Sequence, residues 1–241
     1  MKSLACTLFL TVAHVLAQEK TEAQDLCEQW NALYEKMQYG SVDRKTSGPL
    51  LRSLAKEIRD KIAVPQDSVF YFPIENHGLP DVGGTNGSGF ISRQYNFLHG
   101  NRHRGHPAHD IFIHDADQDN LDDNTKQPAY VVAMTDGIVI GMKTNWTSGD
   151  TLRGGNYLMV YNPNLQRYYY YAHNHTILVK LGDVVRAGTR IATVGRTGRN
   201  ASEKRSPTHL HLMVLQITDE KGKPYNYYDE LVKSKKVNSP S

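Results

Sequence analysis

Apolar positions change their rhythm once along this chain. From Glu22 to Met37 they recur at helical spacing (Leu26, Trp30, Leu33, Met37), and from Leu50 to Val64 they do so again (Leu51, Leu54, Ile58, Ile62). Between these stretches "YGSVDRKTSGP" (Tyr39 to Pro49) interrupts the pattern with glycines and a proline, and Pro65 ends the second stripe. The pattern predicts a helical hairpin over residues 18–66. After Pro65 the texture becomes short runs of β-branched and aromatic residues: "YVVAM" (130–134), "GIVIGM" (137–142), "NYLMVY" (156–161), "RYYYYA" (167–172), "TRIATVG" (189–195) and "THLHLMVL" (208–215). Asp136-Gly137, Gly154-Gly155, Asn162-Pro163-Asn164, Gly182-Asp183 and Gly188 punctuate them as turns. The expected fold is therefore mainly β: an antiparallel sheet or barrel-like sandwich over residues 67–232, preceded by the small hairpin and followed by a flexible tail at 233–241.

The first residues read as an address. Lys2, an apolar stretch from Leu4 to Val15 and the small residue Ala17 have the shape of a signal peptide spanning 1–17, too short to cross a bilayer. Export to the periplasm or the extracellular space is expected, without stable membrane insertion. Removal of 1–17 leaves Cys27 as the single cysteine, so no intrachain disulfide is available and the fold must rest on its core or on a metal. A net charge of +3 with no long basic run argues against nucleic acid. The hairpin carries no readable chemistry; packing, or contact with a regulatory protein, is its expected use.

Candidate chemistry lies in the histidines. Of 11, five fall between His99 and His114, and two stand one residue apart in an apolar run as His209 and His211. Side chains alternate along a strand, so His209 and His211 share a face. His106 and Asp110, four apart, share a side if that segment is extended, with His103 and His109 opposite. Pro107 disturbs the register, so spacing alone leaves His106 and His109 both open. A histidine–carboxylate pair from one strand and a histidine from another would satisfy a hydrolytic zinc site, which takes three protein ligands and keeps a fourth position for water. Taken singly, each histidine is more simply a surface or core residue. An i,i+2 pair buried in an apolar strand is harder to explain that way.

The motifs then complete a pattern. "HPAHD" (106–110), "YAH" (171–173) and "HLH" (209–211), with "GDVVRAG" (182–188) and "VGRTG" (194–198) between them, resemble the lysostaphin-type (LytM-like) zinc peptidoglycan endopeptidases over roughly residues 68–217. The resemblance implies His106, Asp110 and His211 as ligands of one zinc ion, and His173 and His209 as the catalytic pair. It also implies a peptidoglycan peptide as substrate, with Asn156 at a groove position; Tyr171 is expected half in the core and half in the groove wall. Ala108 stands where the family usually has glycine. No HExxH occurs, so no glutamate base arrives by that route.

Other readings compete. A catalytically inactive relative that activates other wall hydrolases would share the fold, but every ligand and both catalytic histidines are in place here. A biotinyl-like hammerhead domain would share the hairpin rhythm of 182–195, but it lacks a carrier lysine and leaves the histidines unexplained. Asp115-x-Asp117-x-Asp119 mimics the start of a calcium loop. Asn120 and Lys126 stand where that loop needs glycine and glutamate, so a solvated acidic loop is expected.

Overall fold

The structure, a computed structural model, describes residues 20–66, 69–98, 104–217 and 222–238. The expected signal peptide at 1–17 lies outside these residues. Two helices come first, α1 (Glu22–Gln38) and α2 (Arg44–Lys61). Thr21 caps α1 with a reciprocal capping box to Gln24, and Asp43 caps α2 through the Thr46 N–H. The expected break across Tyr39–Pro49 is shorter than the sequence suggested, because α2 begins at Arg44 and runs through Pro49. Gly48 explains the tolerance. A residue before proline normally leaves the helical region because its Cβ and N–H meet the proline ring, and glycine removes the Cβ part of that clash. Gly48 is also buried, with no room for a Cβ beside Leu98 Cδ1 at 2.8 Å.

Ten strands follow. A seven-stranded antiparallel sheet contains β1 (His109–Phe112), β3 (Gly137–Lys143), β4 (Tyr157–Asn162), β5 (Arg167–Ala172), β7 (Val184–Val185), β9 (His209–Gln216) and β10 (Lys223–Pro224). Its order is β1-β9-β5-β4-β3-β7, with β10 paired to β9. A three-stranded sheet, ordered β2-β8-β6, consists of β2 (Tyr130–Val132), β6 (Asn174–Ile177) and β8 (Arg190–Val194). The fold is thus the mainly β, antiparallel sandwich expected, with helices at the N-terminus.

Two cores explain why the strand runs read as continuously apolar. Val139, Leu158, Val160, Tyr169, Leu210 and Leu212 point into an inter-sheet core with Val131, Ile191 and Val194 of the smaller sheet. Alternate residues, Ile138, Ile140, Tyr157, Met159, Tyr168 and Met213, point the other way and pack against Leu26, Trp30, Tyr34, Leu51 and Ile58 of the helices. All six residues of β4 are buried. A sheet covered on both faces loses polar alternation.

The hairpin therefore spends its apolar stripes within the chain. Asn31 Oδ1 accepts from the Met142 N–H at 2.9 Å, and the Tyr157 hydroxyl bonds Gln38 Oε1 at 2.8 Å. A short helix α3 (Tyr228–Lys233) follows. The expected free tail needs correction as far as Asn238. Lys235 exchanges backbone hydrogen bonds with Phe70 and Phe72, and the Asn76 N–H donates to Val237 O. Those strand-like bonds were invisible to periodicity because only single residues take part. Among the described residues no helix is long and apolar enough to cross a membrane.

Candidate metal centre and catalytic cavity

Register brings the candidate ligands together. In the β1–β9 ladder Asp110 lies opposite His211, and in the β5–β9 ladder His211 lies opposite Ala172, which precedes His173. Asp110 and His211 project from the helix-facing side of the large sheet. His106, just before β1, is anchored by an antiparallel bridge to Ile91. The side-chain donor atoms of His106, Asp110 and His211 lie within 4.8 Å of one another. His106 Nε2 is 3.1 Å from both Asp110 oxygens, and His211 Nδ1 is 2.9 Å from Asp110 Oδ1.

These contacts carry a chemical demand. His106 Nδ1 sits 3.0 Å from Gly89 O, so the ring donates there and turns Nε2 toward the carboxylate. A neutral imidazole in that tautomer would oppose a lone pair to a carboxylate. A proton or a metal cation must lie between them. Ligand atoms of a tetrahedral zinc with bonds of about 2.0–2.1 Å stand roughly 3.3 Å apart, close to the spacing found here. The set of two imidazoles and one carboxylate therefore fits a divalent ion.

Titration follows the same geometry. Burial opposes charge on Asp110, but hydrogen bonds from His106 and His211 outweigh it and hold the carboxyl far below the usual carboxylate range. The bond to Asp110 raises His106. His109 lies on the opposite face of β1, fully buried, with Nε2 2.9 Å from Asn226 Oδ1 and its ring among Tyr227, Tyr228 and Phe90. The structure thus brings His106 to the cluster and leaves His109 in the core.

His173 and His209 stand beside the cluster. The ring centroids of His173 and His209 are 4.9 Å apart, and that of His173 is 5.6 Å from His211. Each has its Nδ1 against a backbone carbonyl, Thr197 O at 2.8 Å for His173 and Pro207 O at 2.7 Å for His209. Each Nδ1 is therefore a donor, and each Nε2 offers a lone pair. Burial pulls His173 down to about 3 and lowers His209, so both rings are neutral at neutral pH.

His173 has φ +66, a left-handed conformation unusual for a non-glycine residue. Neighbouring loops hold it there. Gly198 (φ +106) passes so close that a Cβ would stand 2.2 Å from Arg153 O and 2.9 Å from His173 Nδ1. The His173 N–H donates to Gly154 O at 2.9 Å. The glycines of "RGGNY" and "VGRTG" thus let two loops close around one imidazole.

The two expected groove residues fall elsewhere. Tyr171 is fully buried between the sheets, and its hydroxyl accepts from the Met134 N–H at 2.9 Å. Its neighbour Tyr170, on the opposite strand face, lines the cavity instead. Asn156 is buried too; its Oδ1 accepts from the Trp146 N–H, and its own N–H donates to Thr197 Oγ1. It organises the loop rather than facing a ligand. Strand alternation starting from His211 favours Tyr170.

In the acidic loop, carboxylate oxygens of Asp115, Asp117 and Asp119 lie within 4.8 Å of one another, and Asp115 is engaged by the loop itself. Asp115 accepts from the N–H groups of Asp119 and Asn120 and from the Thr208 hydroxyl. The calcium-like spacing serves a turn tied to the start of β9.

The cluster opens on a cavity of about 640 Å³ bounded by β5, β9, the loops at 151–154 and 200–206, and the helical hairpin. A pair of imidazoles and a carboxylate able to hold a cation, flanked by two neutral imidazoles at the wall of such a cavity, make up a candidate metal site. Residues 118–227 match Peptidase family M23. The matched segment contains His173, His209 and His211 and begins after His106 and Asp110. Those two join the site by geometry.

The murein hydrolase activator NlpD of Salmonella dublin is 36% identical over 96 residues, 40% of this chain and 21% of that protein. Its counterpart in Salmonella typhimurium matches to the same extent. The chain thus spans about a fifth of the length of these curated relatives. A LytM structure from Ruminococcus gnavus shares 23% identity at TM-score 0.49, covering 71% of this chain and 63% of that one. The catalytic domain of lysostaphin from Staphylococcus simulans shares 22% at TM-score 0.39, covering 53% and 80%.

Proposed function

We propose that this protein is an exported zinc metalloendopeptidase that hydrolyses peptide crosslinks of bacterial peptidoglycan. The observation carrying this reading is the meeting of His106 Nε2, Asp110 and His211 Nδ1 within hydrogen-bonding distance, in a tautomer that calls for a cation. His106, Asp110 and His211 would hold the zinc, which supplies Lewis acidity toward a water and a peptide carbonyl.

The chain's own groups do the rest. The Nε2 atoms of His173 and His209 are unprotonated, so they accept the proton released as water attacks. Once protonated, an imidazolium there donates to the tetrahedral oxyanion or to the departing amine. The backbone carbonyls of Thr197 and Pro207 hold both rings in the working tautomer. Tyr170 supplies wall surface to the bound peptide. The apolar stretch and small residue in 1–17 support export as a cleaved signal peptide.

The identity to a murein hydrolase activator favours a second reading, in which the chain stimulates wall hydrolases without cutting peptide itself. One experiment separates the two. Purified peptidoglycan is digested with the zinc-loaded protein, with and without chelator, and the fragments are analysed by mass. Peptide cleavage that disappears with chelator and in His211→Ala, together with about one zinc per chain, is expected for the enzyme. Release of sugars, or no release until a separate hydrolase is added, would sink it.

A further inference from the structure

We propose that Arg44 and Arg153 form a carboxylate-binding subsite in the cavity that holds the His106–Asp110–His211 centre, so that the helical hairpin selects acidic peptides; the substrate role rests on the hydrolase reading above.

The hairpin packs on the sheet face from which Asp110 and His211 project, and its residues Tyr34, Gln38 and Arg44 reach the cavity wall. Arg153 lines the same cavity, in the loop whose Gly154 carbonyl receives the His173 N–H. Among the described residues lining the cavity, the fixed charges are Arg44, Arg153 and Asp110. Asp110 is already engaged by His106 and His211. Neither guanidinium has a hydrogen bond or ion pair among the described residues, whereas Arg190 and Arg167 are paired with Glu75 and Glu230.

Helix stability does not account for Arg44 either. It occupies the first turn of α2, directly after the Asp43 cap, where a cation opposes the helix dipole. An arginine without a partner among the described residues, on the wall of a site where a zinc ion would add positive charge, fits recognition of an anion. The guanidinium fork matches a carboxylate in two parallel hydrogen bonds. The occupant is a peptide carrying a free carboxylate near the scissile bond, and a neutral bridge such as polyglycine is disfavoured.

The test uses crosslinked muropeptides prepared from digested peptidoglycan, with carboxyl groups free or converted to amides. Binding to the full-length protein with zinc supplied is measured by calorimetry in a His209→Gln background, where turnover is slow. Preference for the free acid of about tenfold is expected. Arg44→Gln and Arg153→Gln should each move that ratio toward one with an unchanged melting temperature, and Arg44→Lys should keep part of it. Equal binding of both forms, or a ratio that survives both substitutions, overturns the subsite. Cleavage by the protein with His209 intact is followed in parallel. If neither form is cut, the hydrolase reading fails, while the binding ratio still decides the subsite. If both are cut equally well, the subsite fails and the hydrolase stands.

Discussion

Asp110 and His109 are adjacent, and the pleat of β1 sends them to opposite faces of the sheet. Asp110 meets two imidazoles at the cavity, and His109 Nε2 donates to Asn226 Oδ1 within the core. Their substitutions should separate cleanly. Asp110→Asn keeps the volume but removes the charge that balances a divalent ion. Zinc content and activity should fall by more than about 100-fold, beyond what loss of an outer partner causes. His109→Gln should leave zinc stoichiometry intact and destabilise the fold by about 1–3 kcal/mol, the cost of leaving buried polar groups unmatched. Metal analysis and thermal melts of the two variants check this; zinc loss in His109→Gln would place the wrong histidine in the site. At Gly198 a side chain would need φ +106 within 2.9 Å of the His173 ring. Gly198→Ala should therefore lower activity even at temperatures where the variant remains folded, as turnover and circular dichroism measured together will show.

At the level of elements, the contact between α1 and the large sheet is aromatic. Trp30 is fully buried, with its ring centroid 5.1 Å from Tyr34 and 5.5 Å from Tyr168. Gly141, beside a register shift in β3, lets the sheet approach so closely that a Cβ would lie 2.9 Å from the indole. Trp30→Ala should cost about 3–5 kcal/mol, the range for deleting a buried large aromatic. Denaturant titration measures it, and a loss below about 1 kcal/mol would mean that the helices contribute little to the core. Cys27 shares that interface, where burial pushes its thiol up to about 12. A thiol with so little thiolate at pH 8 should resist a thiol reagent in the native state and react on unfolding. Site-resolved mass spectrometry distinguishes it from Cys6.

At the scale of the molecule, the hairpin covers one face of the seven-stranded sheet and walls the cavity. A chain starting at residue 67 would expose Ile138, Ile140, Tyr157, Met159, Tyr161 and Tyr168, an apolar patch of the kind that drives association. The truncated protein should aggregate at concentrations where the full chain is monodisperse by light scattering. A soluble and active truncation would show that the hairpin is a detachable accessory.

Much of this arrangement was legible in residue order, and the exceptions share a cause. The strand runs, the helical stripes and the shared face of His209 and His211 follow from periods of two and 3.6, which depend on neighbours in sequence. The choice of His106 over His109 was not legible. It depends on how the chain enters β1 after Pro107 and on which side of β9 that strand pairs. Tyr171 lies wholly in the core, where half was expected, because it pairs with Leu212 on the inter-sheet face of β9. The start of α2 was missed because the tolerance of Gly48-Pro49 appears only with the Asp43 cap in place.

By itself the sequence determined the antiparallel β architecture, its helical preface and a short roster of histidines, since local spacing and turn chemistry act over a few residues. Tertiary structure decided which histidine joins Asp110, that the hairpin forms a wall of the site, and that Arg44 and Arg153 line the same cavity. These outcomes require strands and helices distant along the chain to be packed together, and no local periodicity encodes that juxtaposition.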